Sequence, residues 1–476
     1  MSRRELAALI LSSALITFDG AGVTLAFPAI GHDLGASVAR LHWIANAPLL
    51  ALAAMLLPAG RIGDRVGHLR LLRAGLTIFA ASSAMCAAAW SDLTIIVARL
   101  GQGAGGALVL PAVLATMRAA FDDPLERMRI FGKWAAWTGV ASAVGPLVAG
   151  IVVDWLSWRA VFAPSIALGV AAMVLLPRGA RSRSTLRCEP ISGIATGSFV
   201  LLIGALCYGV MLAARDGISD AALLYPVVIA VAAGLLFARD PSRHVLLPRQ
   251  LLHARNSVAA NATDFALYFG MFGLSFVLAM YVQQVLRYSA SWAAVSLLPI
   301  SLMLLLAERF SGLTSRLGTK ALVIAGALIA ASGIAWIATA PDPIPFWSNI
   351  IAGTTVFGLG MSMTISGLTN AAIAAVPASC SGAAAGLNHT VVRGTGLIAV
   401  ATVGSIASPG GSELISAEGF RQAVLVCAAI VAAGSFAGAQ LRDGEAGGVI
   451  AETGVSSRHD ARGQGLCSDR RSRAII

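Results

Sequence analysis

Long apolar runs recur along this whole chain, and they constrain its fold more than any other feature. They lie near residues 6–29, 41–59, 71–90, 93–117, 131–153, 160–177, 191–213, 221–238, 258–285, 290–307, 321–340, 347–371, 382–406 and 421–440. A run of about 18 to 25 apolar residues is what a helix needs to cross the roughly 30 Å hydrocarbon core, where backbone N–H and C=O groups must be bonded within the segment. Strands of a membrane barrel would instead read as about ten residues of alternating polarity. The expectation is an all-α membrane protein with fourteen transmembrane helices. With 57% hydrophobic and 12% charged residues and a mean hydropathy of +0.80, the chain lacks the polar surface of a soluble protein. The opening MSRRE resembles the start of a secretory signal. The run behind it is too long for one and carries Asp19, so it reads as an uncleaved first helix.

The net charge of +11 raises nucleic acid or another polyanion as a partner, and the placement of the charges decides the matter. If the spans are threaded alternately, 27 of the 34 Lys and Arg residues fall on the side of the N-terminus and five on the other. Arg99 and Arg393 lie inside spans. Such a bias places both termini in the cytoplasm and accounts for the charge without a nucleic-acid partner. The six cysteines, Cys86, Cys188, Cys207, Cys380, Cys427 and Cys467, contain no CxxC pair, so neither a metal site nor a disulfide framework is expected.

The chain repeats itself. GRIGDRVGHLRLLRAG (60–75) returns 251 positions later as SGLTSRLGTKALVIAG (311–326), with Gly67 over Gly318 and Gly75 over Gly326. Internal repeats of this kind mark transporters that rock two bundles about a midplane site. Because the second copy follows the tenth span, two helices must be inserted, and the seventh and eighth are the natural candidates. The expected organisation is a six-helix bundle over 1–180, inserted helices over 181–240, a second six-helix bundle over 241–440, and a disordered cytoplasmic tail over 441–476 rich in Gly, Ser, Arg and Asp.

Asp19 interrupts the first span in ALITFDGAGVTLAF (14–27). A carboxylate at that depth costs roughly 2.5–3.5 kcal/mol on insertion scales, so it is expected to face the protein interior or a wet cavity. RLGQGAGGALVLP (99–111) in the fourth span has the glycines of a nucleotide loop without its preceding strand, and close helix packing explains them better. At about 1.5 Å per residue, Asp19 lies roughly 20 Å and Arg99 roughly 21 Å above the inner surface, so the two are level. A neighbouring cation favours an ionised carboxylate and dehydration a neutral one, so a cavity of alternating access could switch its proton. Two bland alternatives stand beside this reading: a static Asp19–Arg99 salt bridge, and an Arg99 that snorkels to the outer interface.

With these residues on the page, the chain resembles the major facilitator superfamily, in its fourteen-helix drug:proton antiporter branch, over about residues 5–440. Gly60, Gly63, Asp64, Arg65, Gly67 and Arg70 match that family's loop signature, with His68 at its second basic position. The resemblance implies that Gly60, Asp64, Arg65, Gly67 and Arg70 form a conformational latch on the cytoplasmic side. It also implies that Asp19 and Arg99 couple protons, and that Gly139, Gly145, Pro146 and Gly150 of GVASAVGPLVAG (139–150) are the antiporter helix motif, with Ala149 at a usual glycine. The first span keeps the family's Asp19, Ala26 and Pro28, with Ala21 and Thr24 where Thr and Asn are usual.

In the second half, GLNHTVVRGTG (386–396) puts His389 and Arg393 one helical turn apart on one face. Facing a cavity, the pair would favour an anionic or zwitterionic substrate. Alternatively Arg393 pairs with Asp264 or a backbone carbonyl, and Asn261 and Asp264 reach the inner interface. Gln102, Asn261, Asp264, Asn388, His389 and Arg393 are the candidate substrate cavity. No HExxH or paired membrane carboxylates indicate hydrolytic or metal chemistry, so an enzyme is not expected. The expected function is proton-coupled export of small amphiphilic compounds across the cytoplasmic membrane, with substrate, protons and lipid as partners, no cofactor, and a monomeric form. A proton-coupled uptake carrier and a non-transporting sensor of the same fold remain as alternatives.

Overall fold

Apolar residues that must satisfy their own backbone form helices, and each of the fourteen expected spans contains one. The computed structural model describes residues 3–120, 124–177, 192–216, 221–241, 254–307, 310, 317–374, 381–408 and 415–442. The helices are α1 (Arg3–Gly22), α2 (Phe27–Leu34), α3 (Val38–Val66), α4 (His68–Ala87), α5 (Asp92–Ala119), α6 (Pro124–Trp155) and α7 (Ala163–Leu175). They continue as α8 (Gly193–Asp216), α9 (Leu224–Arg239), α10 (Arg255–Gln284), α11 (Ala290–Leu304), α12 (Thr319–Ala338), α13 (Ala352–Ala374), α14 (Ser381–Ala407) and α15 (Ala417–Gly438). Among the described residues, nine helices are long and apolar enough to cross a membrane. The tail beyond Arg442 and Cys188, Cys380 and Cys467 lie outside the described residues, whereas Cys86, Cys207 and Cys427 are buried free thiols.

The first span differs from the single helix expected. Pro28 has no N–H for the Thr24 carbonyl, so Phe27 N–H takes that oxygen instead in a 3-10 turn over Val23–Ala26, and α2 carries the span on to Leu34. The expected loop of the latch signature is mostly helix. Gly60, Gly63 and Arg65 belong to the last turns of α3, and the chain turns at Gly67 alone, where φ is +95°. Gly318 makes the corresponding turn into α12 at φ +81°. A side chain would be strained at either position, which is why both copies keep glycine there.

The repeat also governs packing. Gly75 brings α4 against α5, where a Cβ would lie 2.8 Å from the Gly105 carbonyl oxygen; Gly326 brings α12 against α13, 2.7 Å from the Gly360 oxygen. Such close backbone approach is how small residues stabilise helix pairs in lipid. Helices α1 and α3–α7 pack among themselves, as do α10–α15, and α8 and α9 pair with each other while α8 lies against α3 and α14. The two groups meet along two seams, α3 with α14 and α6 with α11.

At the end of the bundle remote from Arg3, Asp154 of α6 reaches the start of α11. Its carboxylate accepts from the backbone N–H groups of Ala290 and Ser291, both at 3.0 Å, and from Ser291 Oγ at 2.5 Å. Gly150 lets the helices come that close, since a Cβ there would sit 2.8 Å from the Ala290 oxygen. A carboxylate capping orphan donors at the start of another helix is a charge-assisted contact. Asp154→Ala is therefore expected to loosen this seam. Spin labels on the exposed Leu156 and Trp347 should report longer distances in the variant, and an unchanged distance distribution would refute the role.

Candidate functional site

Two buried polar clusters sit on either side of the α3–α14 seam. The first is built on Arg99. Pro48 in α3 leaves the Ile44 carbonyl without its helical donor, and Arg99 Nε supplies one at 3.2 Å. Arg99 Nη1 donates to Asp19 Oδ2 at 2.5 Å and to Gln102 Oε1 at 2.8 Å. The Gln102 amide donates in turn to Asp19 Oδ1 at 2.9 Å and to Ser83 Oγ at 2.8 Å. Ser165 Oγ of α7 donates to Asp19 Oδ1 at 3.4 Å, and Cys86 Sγ to Gln102 Oε1 at 3.6 Å. Asp19 is 4% exposed and Arg99 3%, so this is an ion pair removed from water and held by five helices.

The arrangement revises several expectations. Arg99 does not snorkel. Gln102, expected in a substrate cavity, belongs to the Asp19–Arg99 cluster, one helical turn from Arg99. Ser83 and Ser165 carry no signal in the sequence, and Cys86 reads there only as one of six unpaired cysteines, because a Ser or Cys within an apolar helix looks like any small residue. The Ile44 carbonyl did have a signal, Pro48 four residues on.

Gly103 lets α5 approach α3 at Pro48: a Cβ there would collide with the Pro48 backbone oxygen. Gly103→Ala is expected to push α3 and α5 apart and to cost about 1–3 kcal/mol, the usual penalty of overpacking against backbone. Thermal unfolding in detergent should read it as a lowered midpoint, and an unchanged midpoint would contradict the packing.

The second cluster lies between α10 and α14. Asn388 Nδ2 donates to Asp264 Oδ2 at 2.6 Å and to Asn261 Oδ1 at 3.2 Å, and Asn261 Nδ2 donates to the Ser257 carbonyl at 2.8 Å. Asp264 is 3% exposed, so neither it nor Asn261 reaches the interface. Arg393 does not pair with Asp264. Its Nε is buried without a hydrogen-bond partner, and its charge interacts with Tyr268 and His389.

The antiporter-type helix α6 is clasped on two sides. Gly139 and Gly150 face α11, with Leu305 and Ala290 where Cβ atoms would be, and Gly145 faces Phe18 of α1. Pro146 frees the Ser142 carbonyl, which accepts from Ser301 Oγ of α11 at 3.3 Å. Of the latch residues, Arg65 and Arg70 are exposed, and the Asp64 side chain lies outside the described residues.

A polytopic helical bundle whose halves repeat, meet along two seams and bury charged groups within each half is a membrane transporter. The family model of the Major Facilitator Superfamily matches residues 9–401, and the chain belongs to that family. The sequence is 31% identical over 408 residues to the tetracenomycin C resistance and export protein of Streptomyces glaucescens, covering 84% of this chain and 74% of that one. It is 30% identical over 409 residues to the multidrug efflux pump LfrA of Mycolicibacterium smegmatis, covering 84% and 80%. A bacterial homologue of the human drug peptide transporters PepT1 and PepT2 shares the fold, with a TM-score of 0.60, 17% identity, and coverage of 96% of this chain and 99% of that one.

Proposed function

We propose that this transporter exports small amphiphilic compounds from the cytoplasm in exchange for protons. The observation that carries the reading is the buried Asp19–Arg99 pair, set among groups that serve it in either protonation state. When Asp19 takes a proton and releases Arg99, the guanidinium keeps the Ile44 and Gln102 oxygens as acceptors. The neutral acid keeps the Gln102 amide and the Ser165 hydroxyl. Proton uptake thus leaves the Arg99 charge without its counter-ion but still hydrogen-bonded to two oxygens, which offsets part of the cost of breaking the pair.

In this reading the basic ends of the helices face the cytoplasm, as charge bias requires. Residues 1–180 and 241–440 rock against each other along the two seams, with 181–240 inserted between them. Gly60, Asp64, Arg65, Gly67 and Arg70 latch the cytoplasmic side, and Gly139, Gly145, Pro146 and Gly150 let α6 slide against α1 and α11. Asn261, Asp264, Asn388, His389 and Arg393 line the substrate cavity. Asp19 is protonated from outside as substrate leaves, and deprotonates inward as new substrate binds. One proton moving through about 100 mV supplies roughly 2.3 kcal/mol, enough for about a fifty-fold substrate gradient. The named relatives of resistance and export support the outward direction.

The test is growth inhibition in an efflux-deficient host across a panel of amphiphilic antibiotics and dyes. Expression is expected to raise tolerance to some of them and to lower their accumulation. Raised accumulation of a labelled compound would mark an uptake carrier instead.

A further inference from the structure

The α3–α14 seam contains polar atoms that nothing in the described structure satisfies. His42, Asn46 and Leu49 share one face of α3. His42 packs against Gly404 of α14 and, with ring centroids 5.2 Å apart, against Phe276 of α10. Two turns further on, a Cβ at Gly396 of α14 would sit 3.1 Å from Leu49 Cδ1 and 2.9 Å from Phe272 Cδ2. Leu49, Phe272 and Gly396 therefore close the seam with apolar surface. Asn46 lies between these contacts, 0% exposed, and neither its amide nitrogen nor its oxygen has a partner. His42 Nε2 is buried and unpartnered as well.

On the other side of the closure, one turn below Gly396, stands Arg393 with its unpartnered Nε. Leaving a buried donor unpaired costs about 1–3 kcal/mol, and more for a charged group. Such a row of orphans is tolerable where a partner arrives in another state of the cycle. The charges around the row point to that partner's sign. Tyr268 of α10 and His389 of α14 interact electrostatically with Arg393, and Tyr268 in turn with Asp264. Asp264, the one carboxylate, is already taken by Asn388.

We propose that this seam is a track for the anionic group of an amphiphilic substrate, a carboxylate or acidic phenol. Arg393 takes the anion on the basic-end side of the Leu49–Phe272–Gly396 closure. Asn46 and His42 donate to it beyond the closure once α3 and α14 part. The proposal rests on the export reading for its direction, but recognition of charge at Arg393 does not.

Two xanthene dyes of one shape separate the possibilities: fluorescein, an anion, and a cationic rhodamine ester. Fluorescence polarisation with the purified full-length protein, read without any ion gradient, is expected to show fluorescein bound about tenfold more tightly, the worth of one charge-assisted contact. Arg393→Gln should remove that preference without weakening rhodamine binding, which a misfolded protein could not do, and Arg393→Lys should keep part of it. Preference for the cation, no charge preference, or a preference that survives Arg393→Gln would overturn the proposal. In the second arm, Asn46→Leu at equal membrane abundance is expected to slow fluorescein release from loaded cells by about fivefold. Release equal to wild type would overturn the far station. Because the first arm uses no gradient, failure of proton-coupled export would leave it standing, and its own failure would leave export standing.

Discussion

Asp19→Asn is expected to abolish proton-driven export while leaving the protein in the membrane. Asparagine fills the same volume and its one carbonyl oxygen still accepts from Arg99, while its amide replaces the oxygen beside Gln102 and gives up that hydrogen bond, so the cluster keeps its principal contact. What it loses is a proton that can be carried. Without a proton to carry, the variant should show resistance at equal abundance no higher than that of the empty host, a loss of at least about fifty-fold in the sustainable gradient by the energy of one proton. Energy-independent exchange of substrate across the membrane should survive, because the seams that rock do not involve this side chain. Loss of both activities would mean that the substitution has broken the bundle, and retention of both would move the proton elsewhere.

The other large effect is on stability and belongs to Arg99. Arg99→Leu leaves Asp19 buried with a 4% exposed carboxylate and no cation. Removing one partner of a buried pair costs about 3–5 kcal/mol, whereas replacing both is often neutral. Thermal unfolding in one detergent should therefore rank the double variant Asp19→Asn, Arg99→Leu well above Arg99→Leu alone and near the wild type. Transport should stay absent in the double variant. Equal losses in Arg99→Leu and the double variant would show that the guanidinium matters through packing on Ile44 and not through the ion pair.

Much of this was legible in the sequence. The fourteen apolar runs and the 251-residue offset announced the helices and their repetition, and Gly67 and Gly318 carry the repeat into backbone angle. The level placement of Asp19 and Arg99 followed from counting residues from opposite ends. What could not be read was which helix faces point at each other. Arg393 and Asp264 looked like a pair by charge, yet Asp264 is held by Asn388. Gln102 looked like a cavity residue by polarity, yet it is 1% exposed beside Arg99. Hydropathy is nearly uniform around such helices, so periodicity gives no bearing. Prolines are a usable signal: Pro48 and Pro146 each free a carbonyl four residues back, and each freed oxygen is met by a side chain of another helix.

The central claim is that Asp19 exchanges its proton for substrate. It is tested most directly in sealed proteoliposomes holding a pH-sensitive dye, with a compound whose export has been established in cells. Adding that compound to wild-type vesicles under an imposed pH gradient should start a proton flux that rises with its concentration, and Asp19→Asn vesicles should show none. A substrate-dependent flux of equal size in the variant would contradict the account.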